Sequence, residues 1–108
     1  MSEFTDYLHE VFELAGPITI RRMFGGHSIY YGGLPIGIVY KDTLYLKVDR
    51  ASRLTFESMG LPQFTYRKKD KVIGLPYYQA PDFILENREE AAIWLKKAYA
   101  ASLSASKQ

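Results

Sequence analysis

The chain has no cysteine and only two histidines. Without cysteine it can form neither a disulfide framework nor a zinc site with thiolate ligands. No apolar run approaches the roughly 18 residues that a membrane-spanning helix needs, and the longest, residues 34–40, has the length of a strand. The beginning of the chain is acidic and amphipathic, whereas a secretory signal is basic and then apolar. These absences favour a cytoplasmic protein that does not enter a membrane.

The chain also has little excess charge of one sign. Its 14 Lys and Arg residues against 12 Asp and Glu give a formal net charge of +2, which is too small to indicate nucleic-acid binding by itself. A hydrophobic content of 47% over 108 residues is typical of one globular domain with its own core. We expect that domain at residues 1–102, followed by a frayed Ser/Ala/Lys-rich tail at residues 103–108.

The segment at residues 21–48 has the pattern of an antiparallel meander. Its apolar runs are separated by the pairs Gly25-Gly26, Gly32-Gly33 and Lys41-Asp42, and short β-rich runs between such turns are typical of hairpins. Apolar and polar residues alternate most clearly in the last run, so we expect helices mainly on one side of the sheet. The predicted strands are residues 18–20, 28–31, 34–40 and 43–48. In the third of these we expect one face to carry Ile36, Ile38 and Tyr40.

Helical patterns lie on both sides of this meander. Ser2 can cap a helix over residues 3–15, with one apolar stripe that includes Tyr7 and Leu14. Asp49 can cap a short helix that reaches Met59 and is ended by a glycine at position 60.

A second hairpin is predicted after that helix, with strands at residues 64–67 and 71–75. Pro76 indicates that its returning strand ends at a sheet edge or a bulge. A helical turn then starts near Pro81, and Asn87 can cap the final helix. The order α-β-β-β-β-α-β-β-α predicts an α+β fold. We expect a two-layer sandwich, an antiparallel sheet of about five to six strands flanked by N-terminal, middle and C-terminal helices.

Three sequence features resemble one known family. They are Arg21-Arg22-Met23-Phe24-Gly25-Gly26 with Tyr30 after it, the strand Leu44-Tyr45-Leu46-Lys47-Val48, and Leu75-Pro76-Tyr77-Tyr78. With them the chain, from about Phe4 to about Tyr99, resembles the N-terminal domain of the TfoX (Sxy) family, and the Arg-Arg-Met-Phe-Gly-Gly run is the most specific feature.

The resemblance implies an antiparallel sheet with flanking helices and a regulatory or protein-interaction module that is not an enzyme. The family is associated with regulation of natural competence genes and acts together with a transcription-activator protein. Its competence regulators usually carry a second, C-terminal domain. The resemblance here covers one domain and implies a stand-alone single-domain protein.

The glycine pair and the residues around it form the first candidate site. Exposed backbone N–H groups at glycines beside two guanidinium groups can bind an anion or contact a partner. A sheet corner explains the same residues without a ligand, because glycine bulges are common structural features. The residues of this candidate site are Arg21, Arg22, Gly25, Gly26 and His27.

Basic and aromatic strand residues form the second candidate site. Such a surface can bind nucleic-acid phosphates and stack bases, or bind a protein, since Tyr and Arg are enriched at interfaces. It can also consist of packed rings and the solvated lysines of a hairpin tip. The residues of this candidate surface are Tyr45, Lys47, Tyr66, Arg67, Lys68, Lys69 and Lys71.

Catalysis has little support in the sequence. His9 and Glu13 have the spacing of a helical metal pair but no third ligand nearby, and no nucleophile-elbow or phosphate-loop motif is present. A small-molecule or metal-dependent enzyme would have to be built around His27. We therefore expect no enzyme, no cofactor and no metal, but a protein partner such as a transcription regulator. Direct DNA contact and a homodimer remain open.

Overall fold

The computed structural model describes residues 3–23 and 25–106. The predicted cap at Ser2 lies outside the described residues. The helices are α1 (Glu3–Val11), α2 (Arg50–Ser58), a 3₁₀ helix (Asp82–Glu86) and α3 (Arg88–Ser106). The strands are β1 (Thr19–Met23), β2 (Gly26–Tyr31), β3 (Leu34–Tyr40), β4 (Thr43–Lys47), β5 (Gln63–Lys68) and β6 (Lys71–Gln79).

The described strands form a six-stranded sheet in the order β1-β2-β3-β4-β6-β5. Every neighbouring pair is antiparallel. The main core joins this sheet to all the helices, through Leu8 of α1, Phe56 of α2 and Leu95 of α3 against Ile29 and Leu46 of the strands. The helices therefore cover one side of the sheet, and the predicted two-layer α+β sandwich is confirmed.

The first helix is shorter than predicted. It ends at Val11, and the chain continues to Ala15 in turns. The stripe is also shifted, because Phe12 is fully buried whereas Tyr7 and Leu14 are about half exposed. The Tyr7 hydroxyl donates a hydrogen bond of 2.8 Å to the carbonyl oxygen of Leu85. The Tyr7 ring thus lies over the rim of the core, where the polar end of a tyrosine can find a partner.

The third strand has the predicted bounds but not the predicted faces. Its register against β2 shifts between Ile29 and Tyr30, so Ile36 has no partner in the ladder. That shift places Ile36 in the main core and Ile38 in a separate cluster on the other side of the sheet. The expectation that Ile36 and Ile38 share a face is wrong, because an unpaired residue interrupts the alternation of a strand.

The sixth strand lies inside the sheet. It pairs with β4 through Tyr77, Tyr78 and Gln79 and with β5 along its other side. Pro76 is therefore not on an edge strand of the sheet, because β6 has neighbours on both sides. The predicted bulge is confirmed, because the register between β5 and β6 shifts between Gln63 and Thr65, opposite the proline.

The predicted helix caps at Asp49 and Asn87 are present. The Asp49 carboxylate accepts a hydrogen bond from the Ser52 N–H at 2.8 Å, and the Ser52 hydroxyl accepts one from the Asp49 N–H at 3.0 Å. The Asn87 side-chain oxygen accepts a hydrogen bond from the Glu90 N–H at the start of α3. That helix continues to Ser106, four residues beyond the predicted end of the domain. None of the described helices is both long enough and apolar enough to cross a membrane.

Candidate functional site

The described acidic residues all lie outside the strands of the sheet. The six strands contain no Asp or Glu at all. The described acidic residues lie on the helices, in their connections and in two hairpin turns, at Asp42 and Asp70. The basic residues of the strands are Arg21, Arg22, Lys47, Arg67, Lys68 and Lys71. The sheet is therefore the basic layer of the sandwich.

The side of the sheet that faces away from the helices, called the open face below, carries a small core of its own. Ile38, Phe64 and Tyr77 are buried there. The ring centroid of Phe64 on β5 is 5.0 Å from that of Tyr45 on β4 and 5.8 Å from that of Tyr40 on β3. Because β5 is separated from β3 by two strands, these contacts show that the sheet curls around its open face.

Three cations lie over tyrosine rings on this open face, two of them on strands and the third, Lys41, over Tyr40 at the β3–β4 turn. The Arg21 guanidinium carbon is 5.3 Å from the Tyr30 ring centroid. The Lys47 ammonium nitrogen is 5.1 Å from the Tyr77 ring centroid. Both distances are within the range of cation–π attraction. We refer to Arg21, Tyr30, Lys47 and Tyr77 as the open-face cluster.

Neither cation of the cluster has a carboxylate partner among the described residues. The ion pairs in this part of the chain are Arg53 with Glu57 and Arg88 with Glu13, and both belong to the helical layer. The lack of a partner follows from the composition of the strands, which supply no carboxylate to the sheet. The cluster therefore presents unpaired positive charge.

Partial burial affects the titration of the cluster. Desolvation lowers the pKa of Lys47, because water no longer surrounds its charged form fully. Burial also raises the pKa of Tyr77, and the nearby Tyr30 phenol raises it further through charge repulsion. The two phenol groups, from β2 and β6, thus lie within electrostatic range of each other.

The residues predicted around the glycine pair are only partly brought together. Arg22, Gly25, Gly26 and His27, with Met23, line a surface cleft of about 370 Å³ at the end of the β1–β2 hairpin. Arg21 lies over Tyr30 on the open face instead, because consecutive strand residues point to opposite sides of a sheet.

The two glycines have structural reasons for their positions. Gly25 has a φ of +80°, a conformation that other residues rarely adopt. A β-carbon at Gly26 would lie 2.5 Å from the carbonyl oxygen of Val39 on the neighbouring strand. Beside them, the His27 Nε2 atom is buried without a hydrogen-bond partner in the described part of the chain. Buried polar atoms normally have a hydrogen-bond partner. The Nε2 atom of His27 is therefore a hydrogen-bonding group of the cleft that no described residue uses.

The predicted basic and aromatic surface is divided into two parts. Tyr45 and Lys47 lie near the centre of the open face, whereas the β5–β6 hairpin carries the rest towards its exposed tip. Lys71 precedes Tyr77 by six residues, which places the tip about 20 Å from the open-face cluster at the rise of a β-strand. The residues at or near the tip are Tyr66, Arg67, Lys68, Lys69 and Lys71.

Two residues of the open-face cluster, Tyr30 and Tyr77, were not predicted as site residues. Both occur in the sequence features that carry the family resemblance. The cation–π pairs require the strand register, because Arg21 approaches Tyr30 diagonally across β1 and β2. The Lys47–Tyr77 pair depends on the long-range pairing of β4 with β6. From the sequence, a first strand extended through Arg21 and Arg22 would have predicted that the two side chains lie on opposite faces of the sheet. It would not have predicted the contact of Arg21 with Tyr30.

The open-face cluster offers positively charged groups and phenol hydroxyls and contains no carboxylate. Within residues 3–23 and 25–106, no three His, Asp or Glu side chains lie close enough to hold a metal ion. The carboxylate of Glu13, considered above as a metal ligand together with His9, instead accepts a hydrogen bond from Arg88.

Comparison with known proteins identifies the family. A search of curated proteins found no match to this chain. The family model of the TfoX N-terminal domain matches residues 10–102. The match contains all six strands, α2 and most of α3. The resemblance that rested on the Arg-Arg-Met-Phe-Gly-Gly run is thereby confirmed, and the chain belongs to the TfoX N-terminal domain family.

Proposed function

We propose that the chain is a regulatory interaction module without enzymatic activity, which binds a protein partner in the cytoplasm through the open face of its sheet. The observation that carries this proposal is the open-face cluster, in which Arg21 and Lys47 lie over tyrosine rings without a carboxylate partner among residues 3–23 and 25–106. Arginine and tyrosine are enriched at protein interfaces, where few contacts supply most of the binding energy. The family's association with a transcription activator makes a transcription regulator the expected partner, and competence genes one candidate process.

The absence of catalytic groups from both sites supports the non-enzymatic part of the proposal. The open-face cluster contains no histidine or carboxylate, and the described residues that line the hairpin cleft with His27 include no serine, threonine or cysteine. General acid–base catalysis needs a positioned group that reaches the proton to be transferred. An enzyme centred on His27 remains the least supported alternative.

Partner capture with matched charge variants tests the proposal. The tagged chain, its Arg21→Glu/Lys47→Glu variant and its Lys68→Glu/Lys69→Glu variant would be used to purify partners from the native cell extract. Both variants reverse two positive charges, so they change the net charge equally. We expect a transcription regulator to be captured by the parent chain and the hairpin-tip variant but lost with the open-face variant. Capture of no such regulator by the parent chain would contradict the proposal.

Charge reversal at Arg21 and Arg22 separates the open face from the hairpin cleft. Both side chains are exposed, so we expect either single Glu variant to unfold at nearly the same temperature as the parent chain. Arg21→Glu should weaken partner capture more than Arg22→Glu, because only Arg21 belongs to the open-face cluster. Loss of folding in these variants would instead assign the arginines a structural role.

Direct nucleic-acid binding is the second candidate. It is favoured by the absence of Asp and Glu from the six strands. Fluorescence anisotropy with a random-sequence duplex, at low and at near-physiological salt, tests it directly. Phosphate contacts release counterions, so the affinity of a nucleic-acid-binding protein falls steeply with salt. If the DNA affinity falls steeply with salt and is lost in the charge-reversal variants, direct nucleic-acid binding would replace the protein-interaction proposal. No binding at either salt concentration would leave that proposal in place.

A further inference from the structure

The geometry points to an acidic partner: we infer that the open-face cluster binds the carboxylate groups of an extended peptide segment rich in Asp or Glu. This inference rests on the proposed function and specifies the chemistry of the partner. The binding groups are the cations of Arg21 and Lys47 and the hydroxyls of Tyr30 and Tyr77.

The state of the two cations is the first argument. Lys47 is half-buried and Arg21 lies against a ring, yet no carboxylate of a described residue pairs with either. Partial burial removes some of the water that would solvate a charge, and an ionised hydrogen-bond partner compensates for this loss. A carboxylate of an extended peptide, bound at either cation, would provide that partner. Desolvation accordingly lowers the pKa of Lys47 in the unbound chain.

The two phenol hydroxyls are the second argument. In the described part of the chain the hydroxyls of Tyr31 and Tyr78 donate hydrogen bonds of 2.6 Å to oxygen atoms. The hydroxyls of Tyr30 and Tyr77, in contrast, donate no hydrogen bond to any described residue. A phenol hydroxyl is a hydrogen-bond donor, so these two groups add neutral donors beside the two cations. The cluster thus has several donors that suit a carboxylate.

The absence of acidic residues from the strands is the third argument. An acidic segment that lies along the open face meets no Asp or Glu from any of the six strands. Like-charge repulsion is a common way to exclude wrong partners. Here it would act against basic segments, whereas an acidic one meets complementary charge.

The same contacts favour a peptide over a nucleic acid. Proteins that bind single strands stack bases on aromatic rings, but Arg21 and Lys47 already lie over the rings of Tyr30 and Tyr77, and Tyr77 is only 9% exposed. The exposed basic residues of the hairpin tip are about 20 Å away, at the rise of a β-strand. Carboxylates need only the donors at the rim of these rings.

Fluorescence anisotropy with a short labelled peptide of alternating Glu and Ser tests the inference. The matched control peptide has Gln in place of Glu, and a single-stranded oligonucleotide of equal charge is the competing ligand. We expect the acidic peptide alone to bind. We expect Arg21→Gln/Lys47→Gln to raise its Kd by about tenfold or more, since loss of charge-assisted bonds has an effect of that size. Lys68→Gln/Lys69→Gln, with the same change in charge, should have little effect.

Amide NMR spectra of the chain locate the binding site. Shifts on addition of the acidic peptide should concentrate on β1, β2, β4 and β6, and the Tyr30→Phe/Tyr77→Phe variant should bind more weakly while its rings remain packed. Equal losses in the open-face and hairpin-tip variants, or tighter binding of the oligonucleotide, would overturn the inference.

The two proposals can fail separately. If the Arg21→Gln/Lys47→Gln variant still captures the regulator and the acidic peptide does not bind the parent chain, the inference is wrong while the regulatory function stands. If the acidic peptide binds at the open face but no regulator is captured, the site is correct and the proposed function is wrong.

Discussion

Gly32 connects the turn between β2 and β3 to the last helix. Its φ is +58°, and a β-carbon at this position would lie 2.9 Å from Cε1 of Tyr99. The Tyr99 ring packs edge-on against Tyr31, with 5.4 Å between the ring centroids. The turn, the second strand and α3 therefore meet at a position where only glycine fits.

Gly32→Ala and Gly33→Ala form a matched pair. Both glycines have positive φ values, but a β-carbon at Gly33 would meet no atom within 4 Å. We expect Gly33→Ala to lower the free energy of unfolding by about 1 kcal/mol through backbone strain. Gly32→Ala should lower it by about 2–4 kcal/mol, since overpacking against Tyr99 is added. Urea unfolding measures both values, and equal losses would contradict the predicted contact.

Tyr78 makes stability depend on alkaline pH. Its hydroxyl donates a hydrogen bond of 2.6 Å to Glu57, and this bond, more than burial, raises the pKa of Tyr78. Because the pKa in the folded state is the higher one, the stabilisation is complete below the unfolded pKa of about 10 and is lost as the pH rises through the folded value. Tyr78→Phe should cost about 1 kcal/mol at neutral pH.

The difference in unfolding free energy between the parent chain and Tyr78→Phe should shrink above about pH 10. Urea unfolding at neutral pH and at successively more alkaline values measures this difference. Other groups also titrate in alkali, but they do so in both chains and cancel in the comparison. A difference that stays constant into strong alkali would show that the phenol proton does not contribute.

At the scale of elements, α2 depends on its capping box. Asp49 and Ser52 each accept the other's backbone N–H, and the N–H bond from Ser52 lowers the pKa of Asp49. A lowered carboxylate pKa gives stabilisation that is present above about pH 4 and lost as the pH falls through the folded value. We expect Asp49→Ala to lower the free energy of unfolding by about 1 kcal/mol at neutral pH, and to cost less in acid.

Asp49→Asn is the control for this prediction, because asparagine also caps helices but carries no titrating carboxylate. It should retain most of the stability at neutral pH and show a smaller change in acid. Thermal unfolding followed by circular dichroism at neutral and acidic pH distinguishes the variants. If the alanine and asparagine variants are equally stable at neutral pH, the cap does not stabilise α2.

Elements with local signals were predictable. The cap at Asp49, the positive φ at Gly60 and the alternation along β4 depend on residues that are close in the sequence. The shift at Ile36 was not predictable, because it is a property of the pairing between β2 and β3. The central position of β6 likewise arises from pairing with β4, more than 30 residues earlier.

The same limit applied to the candidate sites. Arg21 and Arg22 are adjacent in the sequence, and ending the first strand at residue 20 kept them in one predicted site. The structure extends β1 through both, so strand alternation separates them. The basic hairpin tip was found from its composition, whereas the open-face cluster depends on the register of β1 against β2 and on the long-range pairing of β4 with β6.

At the scale of the molecule, the two cores share one sheet. Trp94, the one tryptophan, packs against Phe56 and Phe83 in the helical layer. Its fluorescence therefore reports on the helical layer, whereas far-UV circular dichroism reports on helices and strands together. We expect both signals to give the same urea midpoint in a single transition, as is usual for small domains. Two separate midpoints would show that the β5–β6 hairpin and the open-face core unfold independently of the helices.

The strands carry basic residues and no acidic ones, whereas most acidic residues lie in the helical layer, so the charge of the molecule is unevenly distributed. A charged partner that diffuses towards it experiences a torque before any contact forms, so an acidic surface would meet the sheet first. Electrostatic steering of this kind changes association rates far more than dissociation rates, and dissolved ions weaken it. The time needed to find a partner would then be set by the ionic strength of the cell, and the lifetime of the complex by the contacts at the sheet.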